Sequence, residues 1–530
     1  MIMPKMTLNT ADAKSSAAIL SILCNEFGWT ETASSQRGHI IWVVSPEVLE
    51  ASLQTRKGEQ RVSHVPGMHG LCRKGAFSLL AKHHAWDFAP ETWILRPGET
   101  VTGDGHRRLR AALKAGALIL KPDDGTQGDG IFIVRTLSEL QRHVSRLVHG
   151  ACVVQKYLGD PMLLGGGLKF DLRLYGLVLS LQPRRLFLCS EGLVRVCSEA
   201  YEPPEHASGT RCSKHLTNYS INKYEPGFEH NDDPSDGTRG TKRSLRPVLE
   251  GLEQAPGGGA AAWAQIRRIV HATLDGMAGC LDGTAPVDGI GASELWGPSR
   301  LGGGASLWDK VTTRFDDPSW GEWRGKSFHL LGVDVMLDAS GCAHMLEVNC
   351  NPSLGVDAVF VTDGPHAVRP PDTPHPGTEA LVGAAMPQMK GRGVKVCRCR
   401  SHHRPHLHRP CPIDLTVKHA AVGGALTIVS RDARAAKAGE AMSDDALVAG
   451  TRYEPLTAES TADGDDSVYA EAVPSGEVAA TAEGAGDKDN ATESDALQLV
   501  SAASGVAEHE SVVRELSEED ALHMVHMDVM

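Results

Sequence analysis

Two stretches decide the reading: Phe328-His-Leu-Leu-Gly-Val-Asp-Val-Met-Leu-Asp338 and Ala343-His-Met-Leu-Glu-Val-Asn349. Both are apolar runs of strand length, predicted as strands over Phe328–Asp338 and Ala343–Val348. Each carries a carboxylate where an isolated charge would cost several kcal/mol, about the price of leaving an ion buried and unpaired. Glu347 and Asn349 are two apart on one strand and so share a face. Asp334, Glu347 and Asn349 together offer hard oxygen donors suited to Mg²⁺ carrying nucleotide phosphates. The competing reading is that these carboxylates pair with nearby Arg or Lys.

Further towards the N-terminus, three more segments carry chemistry. Lys121-Pro-Asp-Asp-Gly-Thr-Gln-Gly-Asp-Gly130 ends a strand on a lysine and continues as a glycine-rich loop. Such a loop can lay backbone N–H groups over phosphates. It lacks the Gly-Lys-Ser/Thr ending of a Walker loop. In Lys169-Phe-Asp-Leu-Arg-Leu-Tyr175, three charges alternate with three apolar residues. One face of that strand would be apolar, and the other would suit a cleft or bulk solvent. Glu191-Gly-Leu-Val-Arg195 and His215-Leu-Thr-Asn-Tyr-Ser-Ile-Asn222 follow. Arg195 can fork onto a carboxylate, and Thr217 and Asn218 add short polar groups.

Around these motifs the pattern is mixed α/β. Helical spacing is predicted over 17–28 and 71–84, with a buried strand at His39–Val44. Short strands are predicted at Ala117–Leu120, Ile131–Val134 and Cys152–Gln155, with a helix over Thr136–His149 opened by the capping pair Thr136 and Glu139. Lys169–Leu181 and Arg185–Cys189 read as a longer strand pair. Residues 231–327 are rich in glycine and tryptophan with little periodicity, and read as insertion with one helix near Ala261–Met277. The 530 residues carry a net charge of −13; residues 431–530 hold −17 of it, leaving +4 for residues 1–430. The division predicted is an N-terminal α/β lobe (1–105), a central lobe (106–160), a C-terminal lobe (161–365), a Pro-rich then basic, His-rich linker (366–430) and an acidic disordered tail (431–530). The 12 cysteines are scattered singly, no secretory signal is visible at the N-terminus, and no apolar run reaches the length of about 18 residues that a membrane span needs. Reduced thiols in the cytosol are expected.

Taken together and in this order, these segments resemble the tubulin tyrosine ligase-like family of ATP-grasp ligases, with the nearest match to its polyglutamylases. His64-Val-Pro-Gly-Met68, Cys72-Arg-Lys74 and Gln155-Lys-Tyr-Leu158 join the motifs above in carrying the resemblance over roughly residues 15–360. It implies an ATP-grasp fold of three lobes, with ATP, Mg²⁺, free L-glutamate and the acidic tails of tubulin or microtubules as partners. Nucleic acid and a membrane span are not expected, and a monomer is.

The resemblance also implies roles. Lys121, Lys169 and Lys74 would contact phosphates, and Gln127 and Gly128 would lie in the loop above them. Gln155, Lys156, Tyr157 and Leu158 would form a hinge holding adenine by backbone groups. Phe170 and Asp171 would lie beside the nucleotide. Asp334, Glu347 and Asn349 would hold Mg²⁺. Arg173, Arg195, Thr217, Asn218 and Tyr219 would surround the γ-phosphate and the incoming amino acid. A tubulin polyglutamylase is therefore expected, at the cytoskeleton and in the cilium; a glycylase or an inactive microtubule-binding scaffold are the alternatives. The chain departs from the family pattern at Gly75, where Asp is usual, and over 278–327. Lys390–Arg409 has seven Lys/Arg and no acid and could dock on microtubules or act as a linker. Cys397, Cys399, Cys411, His402, His403, His406 and His408 could bind zinc, although their spacing is irregular.

Overall fold

The computed structural model describes residues 5–458 except 35–37, 46–47, 50, 53–59, 96–102, 124, 126–127, 129, 147–150, 205–212, 253–256, 286, 288–325, 363–372 and 390–404. It is mixed α/β, as expected. The centre is an antiparallel eight-stranded sheet built on the 14-residue strand Leu168–Leu181. On one edge this strand pairs with Leu193–Ala200 along its first half and with Arg184–Cys189 along its second. On the other edge it pairs with His329–Leu337, which pairs in turn with Ala343–Asn349.

Period-two alternation explains both cores. Phe170, Leu172, Leu174 and Val178 face a core covered by the helix Gly258–Asp282, while Tyr175, Leu177 and Leu179 face a second core under Ala17–Phe27 and Pro412–Ala438. On the second face the strand begins with Lys169, Asp171 and Arg173, so its polar half lies beyond that core.

A smaller antiparallel sheet stands apart, in the order Thr92–Leu95, Cys152–Lys156, Leu118–Pro122, Phe132–Val134. Leu118 and Leu120 point into a core shared with Leu109 and Leu140 of its two helices, Gly103–Ala115 and Leu137–Arg146. Ile119 and Lys121 therefore point the other way, towards the central sheet. The predicted cap is present: Glu139 N–H donates to Thr136 Oγ1 (3.2 Å), and Glu139 Oε2 accepts from Arg135 N–H (2.9 Å). Strand Thr92–Leu95 joins this sheet, so the lobe starts before residue 106. A third sheet of four parallel strands, including Thr7–Asn9 and Ile40–Ile41, builds the N-terminal lobe.

Two expectations about order are corrected. Pro412–Ala438 is neither linker nor tail: it is a 27-residue helix whose Ile413, Leu415, Val417, Val422, Leu426 and Val429 are buried. Tyr453–Pro455 then adds a strand to the central sheet against Phe187–Cys189. The acidic composition of the last hundred residues hid this segment, because its apolar residues precede most of the acids. Likewise, Lys242–Ser244 within the supposed insertion is a sheet strand, whereas the helix expected near Ala261–Met277 is present and longer, as the core helix Gly258–Asp282. The rest of the acidic tail, residues 459–530, lies outside the described residues, as does most of 278–327. No helix among the described residues is long and apolar enough to cross a membrane.

Candidate active site

Between the small sheet and the central sheet lies a cleft with about 680 Å³ of empty space. Lys121, Gln155, Lys156, Tyr157 and Leu158 reach it from one side, and Lys169, Asp171, Arg195, Thr217, Asn218, Asp334 and Glu347 from the other. Strand alternation delivers each group. Lys121 follows Ile119 by two, Asp171 follows Lys169 by two, and Asp334 and Glu347 are directly opposed on neighbouring strands.

Lys169 is buried and Lys121 half-buried, and each donates to a neutral partner. Lys121 Nζ donates to Gln155 Oε1 (2.9 Å), and Lys169 Nζ donates to Tyr157 Oη (2.7 Å). Burial lowers Lys121 below the ordinary lysine range and pulls Lys169 down to about 8. Tyr157 Oη in turn meets His215 Nδ1 at 2.9 Å. Burial, reinforced by Lys169 and Lys214, pushes His215 down to about 4. Neither lysine's hydrogen bond goes to a carboxylate; Glu347, Asp334 and Asp171 act on Lys121, and Asp171 on Lys169, without offsetting burial.

At the other end the charges interlock. Arg195 donates to both oxygens of Asp171 (2.8 and 2.5 Å) and to Asp334 Oδ2 (2.8 Å). Arg173 grips Asp334 through Nε on Oδ1 and through Nη2 on Oδ2 (2.8 Å). Burial alone would raise the Asp334 carboxyl, yet Arg173 and Arg195 hold it well below the usual carboxylate range. The competing reading of paired carboxylates therefore holds for Asp334. Glu347 Oε1 accepts from Asn349 Nδ2 at 3.4 Å, a long contact that leaves the carboxylate able to take a cation.

Several expected residues take other places. Phe170 is a core side chain on the far face of its strand, because it alternates with Lys169 and Asp171. Lys74 holds the loop, donating to the Gly125 carbonyl (2.8 Å), while Arg73 and Gly75 N–H bind Asp123 (2.9 and 2.7 Å). Tyr219 lines a separate cavity of about 450 Å³ with His230, Lys242 and Phe360, and its hydroxyl accepts from Val359 N–H (3.2 Å). In the hinge, the N–H groups of Lys156 and Tyr157 are bound to Glu91 O (2.9 Å) and Ala117 O (3.1 Å), so neither is on offer to a ligand. Arg173 acts on the site through Asp334. Gly128 sits at the rim with φ +87°, where a Cβ would lie 2.6 Å from Ile221 Cδ1. Gln127, Cys397, Cys399, His402 and His403 lie outside the described residues. His406 and His408 are buried in the strand His406–Pro410, and Cys411 caps the following helix.

Sequence reasoning missed the apolar wall of Ile119, Ile131, Leu216, Met336 and Leu346. Ile119 and Met336 could have been found by counting two from Lys121 and Asp334. Leu346 could not: it shares the cleft with its neighbour Glu347 because the strand register shifts between Asp334 and Val335.

Two sheets closing over a cleft that sets lysines against carboxylates define an ATP-grasp type of ligase fold, and comparison with known proteins agrees. Residues 51–280 match the sequence model of the Tubulin-tyrosine ligase family, so the chain carries a domain of that family. It is 28% identical over 395 residues to Tubulin polyglutamylase ttll-11 of Caenorhabditis elegans, covering 72% of this chain and 48% of that protein. It is 30% identical over 361 residues to human Tubulin polyglutamylase TTLL7, covering 66% and 36%. Human Tubulin polyglutamylase TTLL13 is 29% identical over 340 residues, covering 62% and 36%. The chain thus spans between about a third and a half of the length of these curated relatives.

Proposed function

We propose that the chain is an ATP-dependent ligase that joins free L-glutamate to glutamate side chains of tubulin tails. The observation that carries this reading is the pair of lysines, half-buried Lys121 and buried Lys169, whose hydrogen-bond partners are neutral, in a cleft that also holds Asp334 and Glu347. A polyphosphate supplies the negative charge the lysines lack, and the wall of Ile119, Ile131, Leu216, Met336 and Leu346 receives a purine ring. The names of the related polyglutamylases support tubulin as acceptor and the cytoskeleton, including the cilium, as the place of action. A monomer suffices, since every proposed group comes from one chain.

The oxygen donors of Asp334, Glu347 and Asn349 fit Mg²⁺, which when bound neutralises charge on the transferred phosphoryl group. Asp334 already accepts from two arginines, so it serves a cation fully only when one of them turns away. Arg195 is the one that turns, towards the carboxylate of the incoming amino acid or the γ-phosphate, while Asp171 steadies its guanidinium. Lys121 and Lys169 hold phosphate oxygens, and Lys74 and Gly128 set the loop above them. Thr217 and Asn218 orient the amino acid.

The γ-phosphoryl group passes to an oxygen of the acceptor carboxylate, and ADP leaves. The α-amine of glutamate then attacks the acyl carbon and expels phosphate, its proton going to solvent. The chain's contribution is positioning and charge.

The test incubates the purified chain with tubulin, Mg-ATP and radiolabelled glutamate beside a Glu347→Gln control. Label in tubulin that disappears in the control supports the reading. Label only with glycine makes the chain a glycylase. No label with either, alongside co-sedimentation with microtubules, makes it a scaffold and overturns the ligase reading.

A further inference from the structure

Behind the cleft, the described core holds a group of metal-ligating side chains that the proposed reaction does not use. His64, His329 and Cys350 are all buried, and one ligating atom from each lies within 4.8 Å of the others. The two imidazole rings face each other with centroids 4.4 Å apart. His329 Nε2 stands 3.4 Å from Cys350 Sγ. Cys72 adjoins from another side, its thiol interacting with that of Cys350. These residues are far apart in sequence. His64 and Cys72 come from the N-terminal lobe, His329 opens one central strand, and Cys350 directly follows Asn349 on the next.

Their chemistry is that of a closed soft-ligand site. His64, His329 and Cys350 supply three ligands already gathered, and Cys72, half-buried beside Cys350 and outside that group of three, closes on the ion as the fourth, so that two thiolates and two neutral imidazoles neutralise a doubly charged cation. The surroundings are apolar, with Val65, Met68 and Leu71 in the same core, so four polar groups packed here gain most from a partner that satisfies all of them.

We propose that His64, Cys72, His329 and Cys350 form a buried structural site for one zinc-class divalent cation. Such an ion would fasten the N-terminal lobe to the strand that carries Glu347 and Asn349. It leaves no open coordination position, so its role is structural. Coordination through His329 Nε2 moves the ring proton to Nδ1. That ends both the 3.2 Å hydrogen bond from Val65 N–H to Nδ1 and the 2.9 Å hydrogen bond of Nε2 to the Cys350 carbonyl, so the backbone at Val65 and Cys350 must shift locally. This inference stands independently of the ligase reading.

The test uses the full chain carrying Cys397→Ser and Cys399→Ser, which removes the thiols of the His-rich segment. Titration with Co²⁺ is expected to saturate at one ion per chain, with thiolate-to-cobalt charge-transfer absorption and the visible bands of tetrahedral Co²⁺. Zn²⁺ is expected to displace the cobalt and raise Tm. Adding Cys350→Ser is expected to at least halve the charge-transfer band, and Cys72→Ser together with Cys350→Ser to abolish it. No cobalt uptake by the parent, or an unchanged band after Cys350→Ser, would overturn the proposal. So would a Cys72–Cys350 disulfide in the chain as purified. If Cys350→Ser does not fold, X-ray absorption on the zinc-loaded parent decides: a shell of sulfur and nitrogen supports the site, and an all-nitrogen/oxygen shell refutes it.

Discussion

Lys169 carries a cost that function explains. Burial lowers it to about 8 from 10.5 in the unfolded chain. The folded state therefore binds fewer protons between those values, and stability rises as pH climbs through about 8 towards 10.5. Below about 8 the buried charge penalises the ligand-free fold. Lys169→Met is expected to raise Tm of the ligand-free chain at neutral pH, to lose that advantage in buffer above the lysine range, and to weaken nucleotide binding at least tenfold. Thermal melts at two pH values and a nucleotide titration check it. Glu347→Gln is expected to abolish ligation with only a small change in Tm, since among the described residues its one hydrogen bond is the long contact with Asn349, and its charge otherwise acts on Lys121 from a distance. The charges at Lys121, Lys169, Asp171, Arg195, Asp334 and Glu347 were legible in the sequence because period-two alternation on apolar strands fixes a face. The Arg173–Asp334–Arg195 interlock was not, because pairing across three strands depends on register.

At the scale of elements, the loop and one helix make testable demands. Gly128 has φ +87°, a conformation strained for any L side chain, and a Cβ there would push the Ile221 Cδ1 methyl aside. Gly128→Val is expected to hold the loop off the cleft and raise KM for ATP several-fold while the global Tm stays within a few degrees, read by steady-state kinetics and melting. In the helix Pro412–Ala438, Asp414 is buried between Lys242 and Lys418, with Lys418 Nζ at 2.7 Å. Burial opposes its ionisation, but the two lysines hold it down at about 2 against 3.8 unfolded. The stability it contributes is present above 3.8 and is lost as pH falls through that value towards about 2. Asp414→Ala strands two buried ammonium groups and is expected to cost about 3–5 kcal/mol in denaturant unfolding. The helix itself was missed in the sequence, since its near-continuous apolar run has no clean amphipathic period and sits beside an acidic stretch.

The whole molecule depends on closure from that helix. It covers the second face of the central strand, where Tyr175, Leu177 and Leu179 would otherwise meet water. A chain ending at residue 411 is expected to aggregate on expression, whereas one ending at 458 keeps the full-length Tm, as scored by solubility and melting. By itself, the sequence determined the mixed α/β class, the strands that carry charge and the chemical character of the cleft, because these follow from local periodicity and from the cost of a charge inside an apolar run. Only the tertiary structure decided which charges neutralise one another, that Phe170 and Tyr219 leave the cleft, that Pro412–Ala438 and Tyr453–Pro455 belong to the core, and that His64, His329 and Cys350 meet with Cys72 alongside. Those outcomes rest on contacts between segments distant along the chain, and no local pattern encodes the register and packing that bring them together.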